Sequence, residues 1–259
     1  MTEKANISAL IVAGRALLGL CFVCDGILNL ASHEVRTAYL DLAGAAHFWN
    51  NLAALVYILG GLLLIANRRV IPAALALAGM LILMSLILHS DYSPGTIGEF
   101  PAELRGEVNF KETAVHVAIL ASLLLVVFQA SPLAGNAWIL PLSRVLLGAY
   151  FIINACWQWY YFDIRVEHIV ATGGNPNILP VVIGVQLMFG AGTAAGFKLR
   201  WLLPVLMAVI VLSTVAIHGD LSPSAPYPPN VQIHQWFVKG AILTGLLLLF
   251  GLAPTGTKK

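Results

Sequence analysis

Apolar residues along the chain collect in eight runs, which are separated by segments that hold most of the charged residues. A run of roughly 20 apolar residues is long enough to cross the hydrocarbon core of a membrane as an α-helix. Backbone groups in lipid must bond to one another, and the alternating pattern of a transmembrane β-barrel does not occur in the sequence, so each run predicts a helix. The expected spans are Ile7–Leu30, Ala45–Ala66, Val70–Leu88, Thr113–Ala130, Ile139–Tyr160, Ile178–Ala195, Leu202–Ile217 and Trp236–Leu252.

The composition strengthens this interpretation. Hydrophobic residues make up 59% of the 259 residues and charged residues 10%, whereas about 25% charged residues is usual in a soluble domain. The mean hydropathy is +0.86. The sequence therefore predicts an all-α fold, a polytopic membrane helix bundle in contact with membrane lipid. The net charge of +2 does not indicate a nucleic-acid partner.

The lysines and arginines between the runs predict the orientation in the membrane. On one side they are accompanied by a single acid, Glu3, and on the other side by ten acids. The basic residues of the first side are Lys4, Arg68, Arg69, Lys198, Arg200, Lys258 and Lys259. Because cytoplasmic loops are enriched in Lys and Arg, both termini are expected in the cytoplasm, and the protein is expected in the cell inner (cytoplasmic) membrane.

The two halves of the chain resemble each other. HSDYSP at residues 89–94 matches HGDLSP at residues 218–223, and the same offset of 129 aligns RALLGLCF with RVLLGAYF (15–22 and 144–151). After the next loop, an offset of 123 aligns AILASLLLV with AILTGLLLL (118–126 and 241–249). Four spans in each half give both halves the same orientation, so the sequence predicts two parallel four-helix repeats, residues 1–133 and 134–259.

The first span carries a stripe of polar and small residues. Its members are three or four residues apart and therefore share one face of a helix: Arg15, Gly19, Phe22, Gly26 and Asn29. The fifth span repeats the stripe with Arg144, Gly148, Phe151, Ala155 and Gln158. Two interpretations are open, a seam at which helices pack through small residues or a polar groove for a lipid-like or quinone head group.

One acid, Asp25, lies inside a predicted span, and an ionisable residue at such a position is a functional candidate. Its counterpart in the second half is Asn154. Together with the polar members of the stripe it forms the first group of candidate residues, for a quinone or other head group: Arg15, Asp25, Asn29, Arg144 and Gln158.

The repeated motif His-x-Asp-x-Ser-Pro lies at the outer end of the third and seventh spans. Asp, Ser and Pro are common where a chain turns, but a turn does not explain the histidine. His and Asp also carry protons and bind ligands, so the outer rim holds a second group of candidates: His89, Asp91, Glu112, His116, His218, Asp220 and His234. No metal site is predicted. The rim also holds residues typical of an interfacial aromatic belt: Trp157, Trp159, Tyr160, Tyr161 and Trp236.

The stripe resembles the first helix of the DoxX family of membrane proteins, in which R-x3-G-x2-F-x3-G is followed by a polar residue. YILGGLLLIA (57–66) is similar to the second helix of that family, where an acid precedes Gly-Gly and a leucine-rich run. The resemblance covers both halves. It implies four-helix units and, through the related DoxD type, a link to thiosulfate:quinone oxidoreductase. Tyr57 and Gln186 replace the acid of the family, and Asn29 and Gln158 replace a basic residue, which favours an accessory role.

Three classes of function fit these patterns. The favoured one is a DoxX-like subunit of a quinone-linked redox or respiratory complex, with other membrane or periplasmic subunits as partners. A non-catalytic scaffold subunit and a small-molecule transporter are the alternatives, and whether the chain is an enzyme stays open. The sequence has no haem-attachment motif and no iron–sulfur spacing, so no intrinsic cofactor is expected, and the bound molecule would be a quinone or a lipid.

Overall fold

The structure, a computed structural model, describes residues 2–32, 46–88, 105–130, 138–171, 175–218 and 229–253. In these ranges the chain forms helices joined by turns, without β-strands. The helices are α1 (Thr2–Ala31), α2 (Ala46–Ile65), α3 (Val70–Leu88), α4 (Arg105–Ala130), α5 (Ile139–Tyr160), α6 (Phe162–Ala171), α7 (Leu179–Ala195), α8 (Leu199–His218) and α9 (Pro229–Leu252), with a short 3-10 helix (Pro176–Ile178) before α7.

The predicted all-α, multi-pass membrane architecture is confirmed. Seven helices of the described ranges, α1 to α5, α7 and α9, have apolar stretches of 18 residues or more, which is long enough to cross a membrane. The apolar stretch of α8, Leu199–Val215, is shorter. Large apolar side chains such as Leu59, Ile82 and Leu212 are exposed on the surface. A surface of this kind is unfavourable in water and suits contact with lipid.

The long helices form a closed ring. Each packs against the next along the chain, α5 packs against α7, and α9 returns to pack against α1. Helices α4 and α9 also meet across the middle of the ring, where Ser122 Oγ of α4 lies 3.2 Å from the carbonyl oxygen of Ala241 in α9. These two helices therefore form the centre of the bundle and bring the two halves of the chain together.

The stripe on α1 packs against α2. A Cβ atom on Gly19 would lie 2.6 Å from the carbonyl oxygen of Gly61, so the two backbones approach closely because neither residue has a side chain. One helical turn away, the Phe22 ring meets the Tyr57 ring edge-on, with 5.3 Å between the ring centroids. The structure thus has the packing seam that was one of the two interpretations of the stripe.

Polar residues close both ends of this seam. Asn50 Nδ2 donates a hydrogen bond to the carbonyl oxygen of Asn29 at 2.9 Å. At the other end, Arg15 Nε donates to the carbonyl oxygen of Leu64 at 3.2 Å. Leu64 is in the last turn of α2, where its carbonyl oxygen also accepts a hydrogen bond from the backbone amide of Asn67 at 3.3 Å, and the end of a helix attracts a positive charge.

The equivalent seam in the second half joins α5 and α7. A Cβ atom on Gly148 would lie 2.5 Å from the carbonyl oxygen of Gly190, and one on Gly196 would lie 2.6 Å from Cζ of Arg144. The residues 129 positions earlier are Gly19 for Gly148, Gly61 for Gly190, Asn67 for Gly196 and Arg15 for Arg144. Close backbone contact therefore occurs at aligned positions of the two halves.

The turns that follow α2 and α7 also have matching conformations. Asn67 and Gly196 have φ angles of 54° and 75°, and Arg69 and Lys198 have φ angles of 45° and 41°. Left-handed residues often end helices because they allow the last carbonyl groups to find donors. The members of each pair are 129 residues apart, so the two turns share one backbone pattern.

Candidate functional site at one end of the bundle

Ionisable side chains of the described ranges are unevenly distributed between the two ends of the bundle. At one end α1 and α5 finish, α4 and α9 begin, and α6 follows α5. This end is called the α6 end below. The opposite end, which includes Arg15 and the α2–α3 turn, is called the Arg15 end. The charged and titratable groups of the α6 end form three clusters.

The first cluster is a pair of side chains that joins the two halves of the chain. His234 Nδ1 of α9 lies 2.7 Å from Asp25 Oδ1 of α1. The side chains are 25% and 15% exposed, respectively. A carboxylate at this distance forms a short, charge-assisted hydrogen bond to a protonated imidazole. The pair can therefore hold a proton between α1 and α9.

The second cluster surrounds Lys239 within the apolar part of α9. Its Nζ donates to the hydroxyl oxygen of Tyr150 in α5 at 3.1 Å and lies 5.7 Å from the centroid of that ring. Glu112 of α4 and Arg165 of α6 both interact electrostatically with Lys239. An ammonium group among apolar helices is unfavourable unless it is stabilised, and here the Tyr150 hydroxyl group accepts a hydrogen bond from it while the Glu112 carboxylate contributes an opposite charge.

The third cluster covers the ring of Trp157, near the end of α5. The guanidinium carbon of Arg165 lies 3.9 Å from the ring centroid, and Lys111 Nζ lies 5.5 Å from it. Cations at these distances are attracted by the face of the indole ring. The tryptophan is buried, and its Nε1 has no hydrogen-bond partner among the described residues. Helix α6 thus places a guanidinium group over the end of α5.

A groove between α3 and α4 lies beside these clusters. Its volume is about 180 Å³, and its lining is apolar apart from Ser85, Thr113 and His116. His116 Nδ1 lies 3.1 Å from Ser85 Oγ. Ile82 and Leu86 also line the groove and are exposed on the surface of α3. The groove therefore combines an apolar wall that reaches the lipid-facing surface with a polar group at its inner side.

Four of the sequence candidates belong to the clusters or the groove at the α6 end. Asp25 and His234 form one pair, although the sequence assigned them to different groups. Glu112 belongs to the Lys239 cluster, and His116 lines the groove. His89, Asp91 and Asp220 lie outside the described residues. His218 is the last residue of α8, and its side chain also lies outside the described part.

The remaining head-group candidates do not form one cluster with Asp25. Arg15 and Asn29 are 14 residues apart on α1, which is about 21 Å along a helix. Asn29 and Gln158 lie toward the α6 end, and each has a buried side-chain oxygen without a hydrogen bond in the described part of the chain. Arg144 lies against Gly196 at the Arg15 end. Arg15, Asn29 and Arg144 each contact a neighbouring helix or the turn that follows it.

Several residues of the site were not among the sequence candidates. Lys239, Tyr150, Arg165 and Ser85 are brought together with the candidates only by the packing of different helices. One signal was available, since Lys239 stands inside the predicted span Trp236–Leu252 and an ionisable residue in a span marks a candidate site. At the offset of 123 it also aligns with His116.

Comparison of the chain with protein-family models, with curated proteins and with solved structures gave no match.

Proposed function

We propose that this protein is a DoxX-like integral membrane subunit of a quinone-linked redox complex and that it binds a quinone head group in the groove between α3 and α4. The observation that carries the proposal is the composition of this groove. Its walls are apolar and reach the surface through Ile82 and Leu86, and its polar side is formed by Ser85 and His116, 3.1 Å apart.

The groove fits the chemistry of a quinone. Such a ligand has a flat ring, carbonyl oxygens that accept hydrogen bonds, and an apolar tail that remains in lipid. Binding sites for ligands of this type are mostly apolar, with a few polar groups that fix the orientation. His116 and Thr113, one helical turn apart on α4, both line the groove and would orient a carbonyl oxygen. The exposed side of α3 gives access from the membrane.

A bound quinone would accept two electrons and two protons. Side chains of this protein would hold and transfer the protons. His116 is placed to hold one at its ring, and Glu112 stands one helical turn closer to the start of α4. Glu112 also interacts with Lys239 and Tyr150. The electrons would come from partner subunits of the complex.

A non-catalytic scaffold subunit is the second candidate function, and a specific observation favours it. The positions at which the DoxX family has an acid are used here for packing and hydrogen bonding. Tyr57 contacts Phe22, and Gln186 Oε1 accepts a hydrogen bond from Asn154 Nδ2 at 2.8 Å. Side chains engaged between helices hold the bundle together rather than bind a ligand.

In this proposal α8 is an eighth span, and the chain consists of two parallel four-helix units. Helix α8 has 20 residues, which amounts to about 30 Å of helix. The seams α1–α2 and α5–α7, the two turns with matching φ angles and the ring-like packing order support the repeat. An axis along the membrane normal, close to the α4–α9 contact, would relate the two units.

The proposal also places the protein in the inner membrane with both termini in the cytoplasm. Four basic residues cluster in the two turns of the Arg15 end: Arg68, Arg69, Lys198 and Arg200. The positive-inside rule assigns such an end to the cytoplasm. The α6 end, with the groove and the Asp25–His234 pair, then lies toward the outer face, where a partner subunit would dock.

Photolabelling with an azido-ubiquinone tests this function. The purified protein in lipid nanodiscs is irradiated with the probe, and the labelled peptides are identified by mass spectrometry. Labels are expected in residues 81–88 or 113–120, and excess short-chain ubiquinone should remove them. His116→Ala should weaken quinone binding about tenfold, since it removes a hydrogen bond that the apolar groove does not replace.

His47→Ala is the matched control, because His47 is an exposed histidine of α2 outside the groove. It is expected to bind the probe like the unchanged protein. If labelling is not saturable, or if it is distributed over all lipid-facing helices, the quinone site is refuted and the scaffold function is the better account.

A further inference from the structure

A second cavity lies at the Arg15 end, far from the groove. It has a volume of about 440 Å³ and is formed by α1, α4 and the α2–α3 turn with the start of α3. Four polar side chains line it, Arg15, Asn67, Arg69 and Gln129, and its other lining residues are apolar. No acid is among the described residues that line it. The cavity is therefore positively charged.

Both arginines line this cavity, and each belongs to a defined backbone element. Arg15 is fixed by its Nε hydrogen bond to the carbonyl oxygen of Leu64. Arg69 has a left-handed backbone, with φ of 45°, and directly precedes α3, which begins at Val70. The amides of Val70 and Ile71 begin this helix and favour an anion, whereas Pro72 has no N–H and the Ala73 amide donates to the Arg69 carbonyl oxygen. Two arginines and a helix start thus act on the same space.

A buried donor without a partner lines the same cavity. Gln129 Nε2 of α4 has no accessible surface and no hydrogen bond among the described residues. A buried amide without an acceptor is unfavourable, and a group bound in the cavity would supply the acceptor once the Gln129 side chain turns toward it. The unpartnered amide and the two arginines are separate observations. Each calls for a hydrogen-bond acceptor in the cavity.

An arginine side chain occupies the corresponding region in the second half of the chain. The position aligned with Ile71 at the offset of 129 is Arg200, whose Nη2 donates to the carbonyl oxygen of Ala253 at 3.2 Å. The Arg200 guanidinium also lies 5.3 Å from the Phe250 ring centroid. In the first half the smaller, uncharged Ile71 lines the cavity instead. The cavity is thus a feature of one half and does not follow from the repeat.

We propose that this cavity binds the phosphate of an anionic phospholipid head group, with the acyl chains against the exposed apolar side chains of α1 and α3. Arginine forms paired hydrogen bonds with phosphate oxygens. Basic pockets between membrane helices bind the head groups of anionic lipids in this way. Val12, Leu17 and Leu75 are exposed on α1 and α3, so acyl chains find an apolar surface beside the head group.

Native mass spectrometry of the detergent-purified protein, titrated with phosphatidylglycerol or phosphatidylcholine, tests this assignment. Phosphatidylglycerol is expected to bind about tenfold more tightly, and Arg69→Gln should remove most of this preference, since it removes a charge-assisted contact to the phosphate. Arg68→Gln is the matched control, because Arg68 is exposed on the same turn and does not line the cavity. It should keep the preference.

Two further arms make the outcome decisive. Gln129→Leu removes the buried amide from the α4 side and should also weaken phosphatidylglycerol binding, so the test does not depend on the folding of one variant. Inorganic phosphate should not displace the lipid; displacement at equal affinity would assign the cavity to free phosphate. Equal binding of the two lipids, or equal losses in Arg68→Gln and Arg69→Gln, would overturn the proposal.

Discussion

Single side chains at the α6 end connect parts of the chain that are distant in sequence. Asp25 and His234 are separated by 209 positions, yet their side chains form the shortest polar contact among those described above, at 2.7 Å. Lys239 and Tyr150 make a similar connection between α9 and α5. The Asp25–His234 contact links the first half of the chain to the second, whereas the Lys239–Tyr150 contact joins two helices of the second half. These residues therefore contribute to the packing of the bundle as well as to the candidate site.

Removing one member of the Asp25–His234 pair is expected to destabilise the bundle. Asp25→Ala leaves a partly buried imidazole without its acceptor, which should lower the free energy of unfolding by about 1–3 kcal/mol. The double variant Asp25→Ala, His234→Ala should lose less than the sum of the single losses, because the second change removes a group that has already lost its partner. Thermal unfolding in detergent, followed by tryptophan fluorescence, measures these losses.

Asp163→Ala is the control for this experiment, since Asp163 is an exposed acid of α6. Its melting temperature should equal that of the unchanged protein. Strictly additive losses for Asp25 and His234 would show that the two side chains do not stabilise each other.

The sequence identified individual residues of the candidate site, but it did not show which of them contact one another. Asp25, Glu112, His116 and His234 were recognisable because ionisable residues in or beside apolar spans are unfavourable without a role. Their pairing depends on how α1, α4, α5 and α9 pack, which a single sequence does not contain. Trp157 illustrates the difference. It was expected in an aromatic belt, but it is buried beneath Arg165, because α6 folds over the end of α5.

Contacts between helices depend on a few glycines with close neighbours. Gly19 and Gly61 allow α1 and α2 to approach closely. The carbonyl oxygen of each glycine occupies the space that a Cβ atom on the other glycine would need. Gly148 and Gly190 do the same for α5 and α7. Helices in lipid gain little from the hydrophobic effect, so close packing of this kind stabilises their association.

Gly19→Ala is expected to separate α1 from α2. The added Cβ would lie 2.6 Å from the carbonyl oxygen of Gly61, and relief requires a shift of the backbone. Such overpacking typically lowers the free energy of unfolding by about 1–3 kcal/mol. Gly79→Ala is the control, because a Cβ there meets no atom within 4 Å. Thermal unfolding should show a loss for Gly19→Ala alone, and equal melting temperatures would contradict the seam.

Among the helices, the long ones could be predicted from the sequence and α6 could not. Apolar runs such as Val70–Leu88 agree with α3 to the residue, because length and hydrophobicity alone specify a helix in lipid. Helix α6 has 10 residues, and its sequence FDIRVEHIVA mixes charged and apolar residues. A short helix of this composition depends on packing against its neighbours, here through Trp157 and the start of α7.

The complete bundle has two chemically different ends. The α6 end carries the Asp25–His234 pair and the groove between α3 and α4, whereas the Arg15 end carries basic residues in and beside two matching turns and the cavity lined by Arg15 and Arg69. Both proposed sites depend on the same claim. The chain must cross the membrane eight times as two parallel halves, so that the α6 end faces outward and the Arg15 end faces the cytoplasm.

Cysteine accessibility tests this claim most directly. Single cysteines are introduced at Arg68, Asp163 and Lys258 after the 3 native cysteines are replaced by alanine, and intact cells are treated with a membrane-impermeant maleimide. Asp163→Cys should be labelled in intact cells, and Arg68→Cys and Lys258→Cys only after the membrane is permeabilised. Labelling of Lys258→Cys but not of Arg68→Cys in intact cells would mean an odd number of spans between these two positions and would contradict the two parallel halves.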